Sequence, residues 1–301
     1  MNVHAAPMYS FGIIGDPQYA DKDNGNVEGR VQRHREVPGK LKQAVDSMLN
    51  HAAEPLSMVL LLGDFIDGRF DEAGSQEDLS LLAGILEGLN PIPTFHVIGN
   101  HDLAFTTREH WFKTVKAPLK SYYSRSFAPG WRLVVLDTTD MSPHSGYPPG
   151  SPEAQEAAEY LKNHPQTDQD PQMTDWNGGV GQKQMSWLKS ELAAAAAAGE
   201  KVITAGHHPI GEGSSRRTHT AWNWRELQDV LTSKQYTVKL HLSGHDHMGG
   251  YSFVNGVHFV TMEAMLEAPP GSNAYAVACI LPDSIEIKGV GSAKSHFLPF
   301  K

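Results

Sequence analysis

The sequence has little cysteine and no long apolar run. Its single cysteine, Cys279, excludes an internal disulfide, and its place within the apolar run Ala276–Leu281 predicts a buried strand thiol rather than a nucleophile. No run approaches the roughly 18 apolar residues that a membrane span needs. Met1–Ser10 has neither a basic start nor a long apolar stretch, so it does not resemble a secretory signal. We therefore expect a soluble, cytoplasmic protein without membrane association.

Basic residues are also in the minority. Lysine and arginine number 25 against 34 aspartates and glutamates, which gives a formal net charge of −9. A nucleic-acid partner is not expected, because a phosphate track needs clustered basic side chains. A small anionic substrate stays compatible with this charge, since bound metal ions reverse the local field. Nothing in the composition implies an obligate protein partner.

Apolar, β-rich runs alternate with helix-like segments, which predicts an α/β layered fold. The predicted strands are Tyr9–Ile14, Met58–Leu62, Phe95–Ile98, Leu133–Leu136, Val202–Ala205, Leu240–Leu242, His258–Met262, Ala274–Leu281 and Ser284–Lys288. The predicted helices are Lys40–His51, Glu77–Leu89, Ser151–Leu161, Gln182–Ala198 and Trp224–Leu231. Strands dominate the last third, which favours mixed sheets or a β-sandwich over a doubly wound sheet. We expect one domain over residues 1–301, with a loop or cap excursion at about 140–181.

Polar motifs directly follow five of the predicted strands. They are Asp16-Pro17-Gln18, Gly63-Asp64-Phe65-Ile66-Asp67-Gly68, Gly99-Asn100-His101-Asp102, Gly206-His207-His208 and Gly244-His245-Asp246-His247. Any one of them is also compatible with an ordinary polar turn at a strand end. Together they supply carboxylates, amides and at least three imidazoles, which is enough to hold two divalent metals that share one carboxylate.

Position within each motif suggests a role. Asp16 and Gln18 are two apart in an extended segment, so both side chains can reach one ion. Asp64 is suited to bridge two ions, because a carboxylate has two oxygens and about four lone-pair directions. Asp67 is expected to orient a neighbouring ligand from outside the metal shell. His101 is expected to face the substrate, where it can give or take a proton.

Three further motif residues are candidate metal ligands. The Asn100 side chain offers a neutral hard oxygen, which suits Mn²⁺ or Mg²⁺. His245 and His247 stand two residues apart and can serve two adjacent ions. For His208 a structural role is as compatible with the sequence as a functional one. This donor set suits Mn²⁺, while Fe and Zn are alternatives.

The five motifs in this order resemble the signature of the calcineurin-like metallophosphoesterase superfamily: D-x-H, G-D-x-x-D-G, G-N-H-[DE], a histidine motif and G-H-x-H. One position departs from it, because Gln18 stands where most members have histidine. That departure, in the context Asp16–Asp21, resembles one branch, the manganese-dependent ADP-ribose/CDP-alcohol diphosphatases. The resemblance extends through Arg30-x-x-Arg33-His34, Trp176-Asn177-Gly178-Gly179, Gln184-x-x-Trp187-Leu188, Trp222-Asn223 and Gly249-Gly250-Tyr251.

The resemblance implies a four-layer α-β-β-α sandwich with mixed sheets and the metals at the strand ends. It implies one ion held by Asp16, Gln18, Asp64 and His247, and a second held by Asp64, Asn100, His207 and His245. His101 would be the acid near the leaving group, and Arg30, Arg33 and His34 would approach the substrate. The implied reaction is hydrolysis of the diphosphate of a nucleoside diphosphate derivative. Two alternatives stay open: a cyclic-nucleotide phosphodiesterase or phosphomonoesterase on the same fold, and a non-catalytic scaffold.

Overall fold

A computed structural model describes residues 8–51, 56–69, 71–118 and 120–300. Most of the segment considered above as a secretory signal, residues 1–7, lies outside these ranges. The strands are β1 (Tyr9–Ile14), β2 (Gly25–Val27), β3 (Arg30–Gln32), β4 (Met58–Leu61), β5 (Thr94–His96), β6 (Tyr123–Ala128), β7 (Trp131–Val135), β8 (Lys201–Ala205), β9 (Val238–Ser243), β10 (Met248–Val254), β11 (Val257–Glu263), β12 (Ala274–Ile280), β13 (Ser284–Gly291) and β14 (His296–Pro299). The α-helices are α1 (Val37–Leu49), α2 (Glu72–Leu86), α3 (Arg108–Thr114), α4 (Pro152–Asn163), α5 (Gln182–Ala197) and α6 (Trp224–Leu231).

The strands form two six-stranded mixed sheets and one small hairpin. The first sheet has the order β14-β13-β12-β1-β4-β5, and the second has the order β10-β11-β9-β8-β7-β6. Strand β1 is parallel to β4 and antiparallel to β12. In the second sheet, β7, β8, β9 and β11 are mutually parallel and the edge strands are antiparallel. Strands β2 and β3 pair only with each other.

The two sheets pack face to face, and helices cover both outer faces. Along β4, Met58 and Leu60 face the second sheet, while Val59 and Leu61 face the layer of α1 and α2. Both faces of the central strands are therefore buried, which explains why they read as continuous apolar runs. A third cluster buries the outer face of the second sheet under α5 and α6. The α-β-β-α layering is the predicted one.

Several elements differ from the sequence prediction. Strands β2, β3, β6, β10 and β14 and helix α3 were not predicted, because they are short, polar or, in β10, interrupted by two glycines. Helix α1 begins earlier than predicted because Pro38 is tolerated in a first helical turn. Helix α2 begins at Glu72 because the Asp71 carboxylate accepts a hydrogen bond from the Gly74 amide and caps it.

Parallel strands bring the motif loops to one edge of the sandwich. The loops after β1, β4 and β5 of the first sheet meet those after β8 and β9 of the second. Hydrogen bonds join the two sets: the His207 ring nitrogen Nδ1 lies 2.8 Å from the Leu62 carbonyl oxygen, and the His245 amide donates to Asp16 Oδ1 at 2.9 Å.

The excursion between β7 and α5 is anchored at its base. Met141 and Gly179 exchange backbone hydrogen bonds of 3.1 and 2.9 Å. Its helix α4 has Pro152 in the first turn and is capped by Ser151, whose hydroxyl accepts from the Ala154 amide. A small apolar cluster packs helix α4 and the rest of the excursion against the loop that precedes α6. Its members are Met141, Ala157, Met173 and Trp222. None of the described helices has the length and apolar character needed to cross a membrane.

Candidate metal centre

One group of predicted ligands is already convergent. Asp64, His207 and His245 are buried and each offers a ligand atom within 4.8 Å of the others. His207 Nε2 lies 3.2 Å from Asp64 Oδ2 and 3.1 Å from the Asn100 side-chain oxygen. The ends of β4, β5, β8 and β9 thus bring together the four residues expected to hold one ion.

A second group lies beside it, around Asp16. Asp16 Oδ2 and Gln18 Oε1 are buried, with no hydrogen-bond partner among the described residues. His247 Nε2 is 3.8 Å from Asp16 Oδ1. Buried oxygens without partners cost folding free energy unless a ligand satisfies them, and carboxylate, amide and imidazole donors fit a divalent metal. Burial raises the pKa of Asp16 to about 6, which is the electrostatic cost that a nearby cation would remove.

Glycines in the motifs make room for the ligands. A methyl group added at Gly99 would collide with the carboxylate of Asp64, and one added at Gly244 would collide with the carboxylate of Asp16. Gly63 is the third case, because a side chain there would meet the ring of His207. The Gly-Asp, Gly-Asn and Gly-His pairs are therefore a packing requirement of the metal site.

Each imidazole has a hydrogen-bond acceptor that fixes its ring. His207 uses the Leu62 carbonyl described above. His245 Nε2 lies 2.8 Å from Asn177 Oδ1, and His247 Nδ1 lies 2.8 Å from Glu267 Oε1. Such outer partners fix the tautomer and leave the other nitrogen for the metal. Neither Asn177 nor Glu267 was predicted to have a role. Asn177 lies in the Trp176-Asn177-Gly178-Gly179 motif, whereas Glu267 follows β11 with no motif signal.

Asp67 connects the metal site to His101. Its Oδ1 accepts a 2.7 Å hydrogen bond from Gln18 Nε2, which leaves Gln18 Oε1 as the free atom of that amide. The same Oδ1 lies 3.0 Å from His101 Nδ1, and Oδ2 pairs with Lys22. The His101 side chain is 39% exposed and faces the open cleft, with Nδ1 held from behind.

The cleft above these residues has a volume of about 370 Å³. Its lining residues are Gln18, Lys22, Val27, Arg30, Gln32, Asp64, Asp67, Asn100, His101, Trp176, Arg216, His219, His245 and His247. Arg30 is thus at the cleft, but Arg33 and His34 are absent from this lining. Arg33 Nη1 donates to the Val31 and Glu267 carbonyls, and the buried His34 ring contacts the Gln18 carbonyl at 3.0 Å. Both side chains support the loops behind the cleft.

Comparison with known proteins agrees with this geometry. The sequence model of the calcineurin-like phosphoesterase family matches residues 9–249. The chain belongs to the calcineurin-like phosphoesterase family. It is 34% identical to a manganese-dependent ADP-ribose/CDP-alcohol diphosphatase of Arabidopsis thaliana, over 96% of each chain. It is 31% identical to the Homo sapiens protein of the same name, over 98% of this chain and 93% of that one.

A solved structure shares the fold over the whole length. The dimetal phosphatase from Danio rerio superposes with a TM-score of 0.87 at 27% identity, covering 98% of this chain and all of that one. The two groups of converging ligands in this phosphoesterase match the two-metal description of that neighbour.

Asp102 ties the loops of this phosphoesterase together from below. Its Oδ1 accepts from the amides of Phe65 and Ile66, at 2.8 and 3.2 Å, and its Oδ2 accepts from Gly99 at 2.9 Å. Burial, with the nearby charge of Asp64, raises the pKa of Asp102 to about 7. The fourth residue of the Gly-Asn-His-Asp motif therefore joins the loop after β4 to the loop after β5.

Proposed function

We propose that the protein hydrolyses the diphosphate linkage of nucleoside diphosphate derivatives, represented by ADP-ribose and by CDP-alcohols such as CDP-choline. The products are a nucleoside monophosphate and a phosphorylated sugar or alcohol. The observation that carries this proposal is the pair of ligand groups that meet at Asp64, at the base of an open cleft. The substrate class comes from the names of full-length relatives.

The protein holds two divalent ions, for which Asp16, Gln18, Asp64 and His247 supply one ligand set and Asp64, Asn100, His207 and His245 supply the other. Such a pair lowers the pKa of bound water and neutralises phosphoryl oxygens. Manganese is the proposed metal, because the donors suit it and the relatives are named manganese-dependent. Iron and zinc are the alternatives that this donor set also accepts.

His101 is the proposed proton donor to the leaving group. Asp67 holds Nδ1 at 3.0 Å, so Nε2 is the nitrogen that is left for the substrate. The Asp67 carboxylate thereby orients the imidazole towards the cleft. His101→Gln should therefore keep both ions and lose turnover by about 10²–10⁴-fold, the usual contribution of a positioned acid.

A substrate panel tests the function. Metal-stripped protein receives Mn²⁺ or Mg²⁺ and is assayed with ADP-ribose, CDP-choline, 2′,3′-cAMP and p-nitrophenyl phosphate, with AMP and CMP release followed by chromatography. Mn²⁺-dependent release of AMP or CMP is the expected result. Turnover of the cyclic nucleotide or the monoester alone would establish the phosphodiesterase or phosphomonoesterase alternative. Metal binding without turnover of these substrates would overturn the proposed diphosphatase activity and direct the search to other phosphoesters, whereas no metal binding would favour the scaffold alternative.

Three further expectations stay predictions. Cytoplasmic location is tested by cell fractionation, and the lack of a nucleic-acid or obligate protein partner by purification of the endogenous protein. The single domain with its excursion at about 140–181 is tested by limited proteolysis, because a domain boundary would give two stable fragments.

We propose that the excursion belongs to the substrate site, since it supplies Trp176 to the cleft and Asn177 to His245.

A further inference from the structure

One carboxylate bridges two arginines at the cleft. Glu28 Oε2 accepts from Arg216 Nη1 at 2.5 Å and from Arg30 Nη2 at 3.2 Å. Glu28 lies at the turn of the β2–β3 hairpin with a left-handed backbone, φ +52°, and its side chain is 59% exposed. Both arginines line the cleft above the metal ligands. A single, solvent-accessible anion therefore occupies the position between two guanidinium groups.

Each of the two arginines is also paired with a second carboxylate, which lies beside a predicted metal ligand in sequence or in space. Arg216 Nε and Nη2 lie 3.0 and 2.9 Å from Asp246 Oδ1, and Asp246 stands between His245 and His247 in sequence. Arg30 Nε lies 3.2 Å from Glu267 Oε2. Glu267 and Asp246 are about a tenth exposed or less, so these anchors are far more protected than Glu28.

The arginines have a hydrogen-bond donor that Glu28 does not satisfy, which indicates a larger anion. Arg30 Nη1 is buried and has no hydrogen-bond partner among the described residues. The two guanidinium groups also share one oxygen of Glu28, whereas a phosphate with two non-bridging oxygens gives each arginine its own acceptor. Guanidinium groups bind phosphate best in this multiple, charge-assisted way.

We propose that Arg30 and Arg216 form the subsite for the substrate phosphate that is not attacked, and that Glu28 occupies this subsite until the substrate displaces it. This inference rests on the proposed function, because it concerns the second phosphate of a diphosphate. A substrate with one phosphorus has no group to place there. The arginine pair thus makes the cleft selective for anhydrides over single-phosphate esters, a distinction that the metal ligands alone do not make.

The first test compares two substrates. Glu28→Gln and its matched control Glu77→Gln, another exposed glutamate paired with an arginine, are assayed with ADP-ribose and bis-p-nitrophenyl phosphate. Glu28→Gln should lower the KM for ADP-ribose about two- to fivefold, the size of an exposed ion pair, without a matching change for the single-phosphate ester. An equal change for both substrates, or no change for either, would overturn the role of Glu28.

Arg216→Lys tests the subsite itself while it keeps a positive charge near Asp246. The ratio of kcat/KM for ADP-ribose to kcat/KM for the ester should fall about tenfold or more, since a lysine cannot replace the guanidinium fork. Equal losses for both substrates would show a structural role only and would refute the proposal.

A binding experiment separates this proposal from the proposed function. Hydrolysis of the ester is inhibited with α,β-methylene-ADP and, separately, with AMP. The ratio of the two inhibition constants gives the contribution of the second phosphate to binding, and no anhydride is cleaved. Tighter binding of the diphosphate analogue, lost in Arg216→Lys, supports the subsite even if the wild-type protein hydrolyses no anhydride. Equal inhibition constants for the two nucleotides in the wild-type protein would overturn it.

Discussion

Replacing Glu267 should lower the affinity for one metal ion and leave the affinity for the other unchanged. The Glu267 carboxylate lies 2.8 Å from His247 Nδ1, and both side chains are about a tenth exposed. Of the three outer acceptors that orient imidazoles, Leu62, Asn177 and Glu267, the last alone is charged. It therefore fixes the ring and also places a negative charge beside the imidazole that would bind the metal.

The size of the effect follows from the ligand set. Loss of an outer hydrogen-bond partner typically costs about 10- to 100-fold in metal affinity, which is about 1.4–2.7 kcal/mol. We expect Glu267→Ala to lie at the upper end, because the ion beside His247 depends on Gln18, a neutral amide. The ion held by Asn100, His207 and His245 should keep its affinity, since the Glu267 carboxylate contacts His247 and Arg30 instead.

Manganese titration of metal-stripped protein by calorimetry measures both affinities. Glu267→Ala should show one of two sites weakened, and Glu267→Gln, which keeps an acceptor oxygen, should lie between it and the wild type. Glu263→Gln is the matched control, because Glu263 is equally buried but pairs with Lys294 rather than with a predicted ligand. Wild-type affinity at both sites in Glu267→Ala, or equal weakening of both, would refute the reasoning.

Three other predictions concern stability, packing and protons. Burial lowers the pKa of His96 to about 4, so the stability contributed by the neutral, buried ring is complete above the unfolded pKa of about 6.5 and is lost as the pH falls from there to the folded pKa of about 4. Between pH 7 and 4 the wild-type protein should therefore lose about 3 kcal/mol more free energy of unfolding than His96→Phe. Urea unfolding at several pH values measures this, and an equal loss in both proteins would contradict the prediction. Gly99→Ala should abolish metal binding through its collision with Asp64, whereas Gly39→Ala in α1, where a methyl group meets open space, should be neutral or stabilising by up to about 1 kcal/mol in thermal unfolding. Although burial opposes it, Asp64 raises the pKa of His207 to about 9, so Mn²⁺ binding at pH 7 should release a proton, and buffer-independent binding enthalpies would exclude that release.

The convergence of the candidate ligands was predictable because their motifs directly follow apolar strands. A strand with both faces buried gives a continuous apolar run, and parallel strands end at one edge of their sheet. Asp16, Asp64 and Asn100 could therefore be placed together before the fold was known. Their order along the chain then identified the family and, with it, the layering of the sandwich.

The outer residues were not predictable for a different reason. Asn177, Glu267 and Arg216 reach the site through loops without hydrophobic periodicity, so their contacts depend on how those loops dock. Closeness in sequence was also a poor guide to which side chains line the cleft, because the alternation of a strand decides where each side chain points. Arg30 and Gln32, two apart on β3, both line the cleft, whereas the predicted Arg33 does not.

Four of the predicted ligands hold a backbone conformation that glycine normally adopts. The φ angles are +43° at Asp16, +47° at Gln18, +46° at Asp64 and +67° at His245. Each such residue costs about 1–2 kcal/mol, and it persists only where its surroundings determine it. Here the loops determine one another: the Gln18 amide donates to the Asp64 carbonyl at 2.8 Å, and the His245 amide donates to Asp16 at 2.9 Å.

This interlocking explains how the ligand side chains are brought together. The folding free energy of two six-stranded sheets offsets the strain at four backbone positions. Packing between the sheets thereby fixes the loops that carry the ligand atoms. Strain at the ends of β1, β4 and β9 is in this sense part of the metal site, and the apolar core between the sheets maintains it.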